Sequence, residues 1–225
     1  MKHDRDVAKP ISARTRAYEY VLDHIIRGDF RGGDFIEEEA VSTAAGVSRT
    51  PVREAFHRLQ SERFLELLPR RGARVRQVTA RELIEVYEAR RLIEGFAARQ
   101  ICEAGWGAPP AMKRLAAEMR DLGDGDYRRH VDLDRDYHLA LVEGARNTVM
   151  ADVLDALRAR QQQVAYAALH ADPSRLETIL SEHEAMVEAL DACDGERMIE
   201  ILNSHLRPIR HVLDRLPGEP ALTRP

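Results

Sequence analysis

Gly46-Val47-Ser48-Arg49-Thr50-Pro51-Val52-Arg53-Glu54-Ala55-Phe56 is the stretch on which the reading of this chain turns. Wound as a helix, it puts Val52, Ala55, Phe56 and Leu59 at i, i+3, i+4 and i+7, on one buried face. Arg49, Arg53 and His57 recur at every fourth position and share a different, exposed face. Ser48 is a suitable N-cap, and Pro51 is tolerated in the first turn, where a backbone N–H has no helical partner to lose. Gly46 suits the left-handed position that ends a preceding short helix over about Glu37 to Ala45.

The surroundings extend this into a domain. Tyr18, Val21, Leu22 and Ile25 give a helical period over about Arg14 to Arg27, ended by a turn at Gly28, Gly32 and Gly33. Phe64 to Leu68 and Ala73 to Val78 bracket Pro69-Arg70-Arg71-Gly72, which reads as a hairpin with a basic tip. Three short helices and a hairpin predict a winged helix-turn-helix over residues 14–78, after a loose tail at 1–13. Such a fold inserts its reading helix into the major groove, where an arginine can grip a guanine edge with two hydrogen bonds. Thr50 can reach a phosphate or a thymine methyl, and Arg70 and Arg71 can enter the minor groove, with Gly72 allowing close backbone approach. The alternative is an amphipathic helix with a solvated basic face, which two arginines alone would equally suit.

The net charge of −4 argues against a nucleic-acid partner until it is resolved along the chain. Residues 1–78 hold 15 Lys/Arg against 12 Asp/Glu, and residues 46–76 hold 8 Arg against 3 Glu. A local basic patch on an acidic molecule can serve as an electrostatic footprint. The two cysteines, Cys102 and Cys193, form no C-x-x-C motif, which fits a reducing compartment. The polar start does not read as a signal peptide, and no window approaches a membrane span. A cytoplasmic protein with no membrane partner is expected.

From Thr79 onward the pattern is helical, with helices expected near 80–104, 110–122, 126–144, 148–170, 174–193 and 195–215. Gly105, Gly123, Gly144 and Gly195 mark breaks, and Thr79 with Glu82 and Ser174 with Glu177 read as capping boxes. The fold class is mainly α: a winged helix joined to a six- to seven-helix bundle over 79–216, with a tail at 217–225. In the bundle, Asp134 and His138 are four apart and share a helix face; His183 and His205 lie on two later helices. One carboxylate and three imidazoles suit a divalent metal: Zn²⁺ first, with Ni²⁺, Mn²⁺ or Fe²⁺ as alternatives. Scattered histidines are the plain alternative, since an Asp and a His four apart arise easily by chance.

The chain resembles the GntR family. Residues 46–55 match that family's signature almost letter for letter, supported by Ile26-Arg27-Gly28-Asp29 through Gly33, Leu59, Phe64 and the Arg70-Arg71-Gly72 tip. The resemblance covers about residues 15–77 and implies that Arg49, Thr50 and Arg53 contact double-stranded operator DNA. Ser48, Arg70, Arg71 and Gly72 complete the candidate set. Family members often carry a basic residue near position 39, whereas Glu37-Glu38-Glu39 is acidic here and reads as a solvated face that favours a helix N-terminus.

Residues 79–215 resemble the FCD effector domain of FadR-type regulators. Glu88-x-Arg90-x-x-x-Glu94, Asp134-x-x-Tyr137-His138, Gly144-x-x-Asn147, Glu182-His183 and His205-Leu206 carry that resemblance. It implies that Asp134, His138, His183 and His205 hold the metal, and it makes an acyl-CoA effector the less fitting choice. Arg90, Tyr137 and Asn147 are the candidate ligand-contacting residues, Tyr137 standing where Phe is commoner. Arg90 could pair with a ligand carboxylate or simply with Glu94 one turn on. The expected function is a homodimeric, ligand-responsive repressor of a palindromic operator, sensing a small organic acid. A metal sensor and a metal-dependent enzyme are the alternatives; no H-E-x-x-H motif supports the enzyme.

Overall fold

Ser12 opens the first helix by accepting the Thr15 N–H, and the chain then runs through α1 (Ala13–Ile26), β1 (Phe35–Ile36), α2 (Glu38–Ala45), α3 (Arg49–Ser61), β2 (Leu65–Leu68) and β3 (Gly72–Val75). The computed structural model describes residues 11–68, 72–122 and 126–217. It divides into two compact units, Met1–Arg76 and Gln77–Pro225.

In the first unit, Ala17, Val21 and Leu22 of α1 pack against Val52, Ala55, Phe56 and Leu59 of α3, all buried as the periodicity requires. Burial of this kind contributes roughly 1.5–3 kcal/mol per large side chain. Gly46 caps α2 in the left-handed region at φ 63°. The sheet is antiparallel in the order β1-β3-β2, with Leu65 opposite Val75 and Phe35 opposite Arg74. The two-residue strand β1 is absent from the sequence expectation, because a pair of residues carries no period. Gly72 sits at φ +100°, where an added Cβ would collide with the Ile36 carbonyl. Its glycine therefore serves the β1–β3 contact. The tip residues Pro69, Arg70 and Arg71 lie outside the described residues, as does Gly123.

The second unit consists of α4 (Ala80–Glu103), α5 (Pro110–Leu122), α6 (Tyr127–Gly144), α7 (Thr148–Ala156), α8 (Arg158–Ala171), α9 (Arg175–Asp191), α10 (Gly195–His205) and α11 (Arg210–Leu213). Helix α6 is central: it packs against α4, α5, α7 and α8, and buries Leu133, Tyr137 and Leu141. No helix among the described residues is long and apolar enough to cross a membrane.

Three expectations need correction. The helix expected over 148–170 breaks at Leu157, although no Gly or Pro lies between 148 and 171. Both halves pack against α6, so tertiary packing rather than local chemistry sets the break. The helix expected over 195–215 stops at His205, because Pro208 disfavours helical backbone before it and offers no N–H. Thr79 does accept the Glu82 N–H, but Ser174 already has helical dihedrals and turns its hydroxyl to Asp172 at 2.6 Å.

Candidate functional site

Helix α6 presents Asp134 and His138 one turn apart, α9 supplies His183 and α10 supplies His205. Their ligand atoms all lie within 4.8 Å of one another. His138 Nε2 is 3.2 Å from His205 Nε2 and 3.3 Å from His183 Nε2. Asp134 Oδ1 stands 3.3 Å from His183 Nε2 and 3.6 Å from His138 Nε2. Ligands about 2.0–2.1 Å from one small divalent cation are separated from each other by roughly these distances.

The outer faces of the rings fix their protons. His138 Nδ1 is 2.7 Å from Glu94 Oε2, and His205 Nδ1 is 2.9 Å from Glu182 Oε2. A carboxylate at Nδ1 holds the ring proton there, so the neutral ring directs a bare lone pair from Nε2. Two such lone pairs face each other across 3.2 Å, which is repulsive unless a cation or a proton lies between them. Tyr137 stiffens the group: its hydroxyl donates to the His183 carbonyl at 2.8 Å, and its ring lies 4.2 Å from the His183 ring.

Electrostatics agree with a site prepared for positive charge. Burial pulls the His183 pKa down to about 3 and also lowers that of His205, so both imidazoles are neutral near pH 7. Burial and Arg90 push His138 down as well, but Glu94 and Asp134 outweigh them and raise it. Burial alone would raise the Asp134 pKa; His138 and His183 hold it well below the usual carboxylate range instead. Glu94 falls to about 2 because Arg90 and His138 overcome its burial.

A cavity opens beside the cluster, lined on its polar side by Arg90, Asp134, Gln161, Arg175 and His205 and elsewhere by apolar side chains such as Val131 and Leu176. Arg90 Nη2 and Gln161 Nε2 are buried without a hydrogen-bond partner. Arg90 pairs with Glu94, its Nε donating at 2.7 Å within a fully buried pair, and its guanidinium also borders the cavity. Tyr137 and Asn147 do not line it. Tyr137 is fully buried behind His183, and the Asn147 carboxamide caps α7 by accepting the Met150 N–H at 3.1 Å. Glu94 figured in the sequence only as a possible partner of Arg90 and Glu182 only as a neighbour of His183, with no role at the imidazoles, and Gln161 and Arg175 were not singled out. Glu182 reaches the ring of a different helix, which no local spacing could reveal.

On the other unit, Arg49, Thr50 and Arg53 of α3 and Ser48 at its N-cap are all exposed, and Ser48 makes no capping hydrogen bond. Arg49 Nη2 lies 2.9 Å from Glu39, and Arg53 Nε donates to Glu38 at 2.8 Å. The acidic turn of α2 is therefore not merely solvated: two of its carboxylates bind the two arginines of the expected reading face.

A small unit with an exposed arginine face on its third helix, followed in the chain by a helical unit with a buried Asp/His cluster, is the build of a one-chain DNA-binding regulator. Residues 13–75 match the bacterial regulatory proteins of the gntR family, residues 85–208 match the FCD domain, and the chain belongs to the GntR family of transcription regulators. It is 28% identical over 187 residues to the HTH-type transcriptional repressor RspR of Escherichia coli K12, covering 79% of this chain and 78% of that one. It is also 28% identical over 195 residues to a probable D-xylose utilization operon transcriptional repressor of Paenarthrobacter nicotinovorans, covering 84% and 83%. A GntR regulator structure from Rhodococcus sp. RHA1 superimposes with a TM-score of 0.61 at 25% identity, covering 86% of this chain and 93% of that one.

Proposed function

We propose that this regulator is a homodimeric repressor whose operator affinity responds to a small carboxylate bound beside a divalent metal. The facing Nε2 lone pairs of His138 and His205, each pinned by an outer carboxylate, carry this reading. Asp134, His138, His183 and His205 would hold the ion, Zn²⁺ being the best match to this donor set ahead of Ni²⁺, Mn²⁺ or Fe²⁺. When bound, the metal would supply positive charge for an anionic ligand oxygen. Arg90 Nη2, buried and unpartnered at the cavity wall, offers a charge-assisted hydrogen bond to the same anion, and Gln161 Nε2 offers a second donor. The apolar wall suits a short carbon skeleton.

Ser48, Arg49, Thr50 and Arg53 would read the operator, with Gly72 shaping the base of the wing beside Arg70 and Arg71. A palindromic operator needs two copies of α3. Leu92 and Phe96 on α4, and Val149 and Val153 on α7, are large apolar side chains left exposed, and a second copy of this chain would cover them. To move the protein from 1:99 to 99:1 between DNA-binding states, the ligand must favour one state by about 5.5 kcal/mol.

His183→Ala tests the metal assignment. The variant is expected to remain folded and dimeric while losing bound metal by elemental analysis, together with its ligand response. A full metal complement would reject the site. If chelation and reloading alone switched operator binding, with no organic acid required, the metal itself would be the signal.

A further inference from the structure

The first turn of α2 places a carboxylate on each of the two arginines assigned to DNA. Glu39 holds Arg49 at 2.9 Å and Glu38 holds Arg53 at 2.8 Å. Both arginine side chains remain more than half exposed, at 58% and 62%, against 74% for Glu39 and 26% for Glu38. Ion pairs this exposed contribute little to folding, because water screens them and long side chains lose freedom in forming them. The other two described pairs of this unit have clear structural partners: Arg58 binds Glu62 and stacks over Tyr18, and Arg74 bridges neighbouring strands to Glu66. Arg49 and Arg53 are each held across from α3 by an acid of α2, on the face assigned to DNA.

We propose that Glu38 and Glu39 compete internally with DNA phosphates for Arg53 and Arg49, and so set how sharply this chain discriminates its operator from other duplex DNA. The proposal rests on the assignment of those arginines to DNA. Non-specific duplex attracts a protein through phosphate contacts that release counterions. An arginine already neutralised by a glutamate releases none, and the carboxylate beside it repels the backbone. On random duplex the exchange is merely one anion for another, so the pair stays closed. On the operator, a bidentate guanine contact adds enough to open it.

The test uses the full chain and two fluorescent duplexes: one of random sequence, and one selected from a random pool by the unmodified chain. Glu38→Gln with Glu39→Gln is expected to tighten random-duplex binding by about threefold or more and to steepen its salt slope by about 1 per freed arginine. Affinity for the selected duplex should rise less, so discrimination falls. The same two changes should have a clearly smaller effect in an Arg49→Ala, Arg53→Ala background, because only the direct repulsion of the backbone is then relieved and no arginine is freed. Unchanged random-duplex affinity and slope would overturn the proposal. So would loss of selected-duplex binding, which would mark the glutamates as base readers, or an equal gain without the arginines, which would mark a general charge effect. If Arg49→Ala and Arg53→Ala leave selected-duplex binding intact, the underlying DNA assignment fails instead, and that outcome is read separately.

Discussion

Both units pair arginine with glutamate, and they do so in opposite solvents. On the first unit, Arg49–Glu39 stands in water and Arg53–Glu38 is half-buried only on its glutamate side, so both arginines can exchange partners. In the bundle, Arg90–Glu94 is sealed at 6% and 0% side-chain exposure and is extended through Glu94 to His138. The same chemistry is a changeable contact in one place and a fixed scaffold in the other. The difference is dielectric: an exposed pair is worth about 0–1 kcal/mol, whereas removing one member of a buried pair costs about 3–5 kcal/mol by stranding a charge.

The largest effect is therefore expected at Glu94. Glu94→Ala strands the Arg90 guanidinium and frees the His138 ring, and should cost about 3–5 kcal/mol in urea denaturation of the full chain. A loss below about 1 kcal/mol would erase the contrast between the two regions.

Metal removal comes next. If the four ligands hold an ion, protein kept at a hundredfold excess of free metal over Kd should gain about 2.7 kcal/mol relative to chelated protein, read as a shift in the same transition. A urea midpoint that ignores chelation would leave the cluster as buried polar packing.

On the exposed side, Arg49→Ala or Arg53→Ala should each weaken specific DNA binding by about 1–3 kcal/mol. Folding stability should stay within about 0.5 kcal/mol, as for most surface changes. A large stability loss would show that these pairs are structural after all. The smallest change is expected for Glu66→Gln, which opens only the exposed Arg74 bridge and should shift stability by no more than about 1 kcal/mol.

How much was legible beforehand differs between the units. Helix α3 and its buried face follow directly from Val52, Ala55, Phe56 and Leu59, because a 3.6-residue period is a local property. Asp134, His138, His183 and His205 could be named from spacing and resemblance. Their convergence could not, since it depends on how α6, α9 and α10 meet. Asn147 illustrates the limit. Its place in the pattern suggested a ligand contact, and the fold uses its carboxamide to cap α7. The break at Leu157 carries no local mark at all.

The sequence by itself determined most of the helices, the arginine face and the residue types of the cluster, because periodicity, capping and side-chain chemistry are written within a few neighbouring residues. Only the tertiary structure decided which charges are sealed and which are wet. It set Glu94 and Glu182 behind the imidazoles, turned Tyr137 from the cavity toward His183, and laid Glu38 and Glu39 on Arg53 and Arg49. Those contacts join residues on different helices, and their strength depends on burial that no single segment can specify.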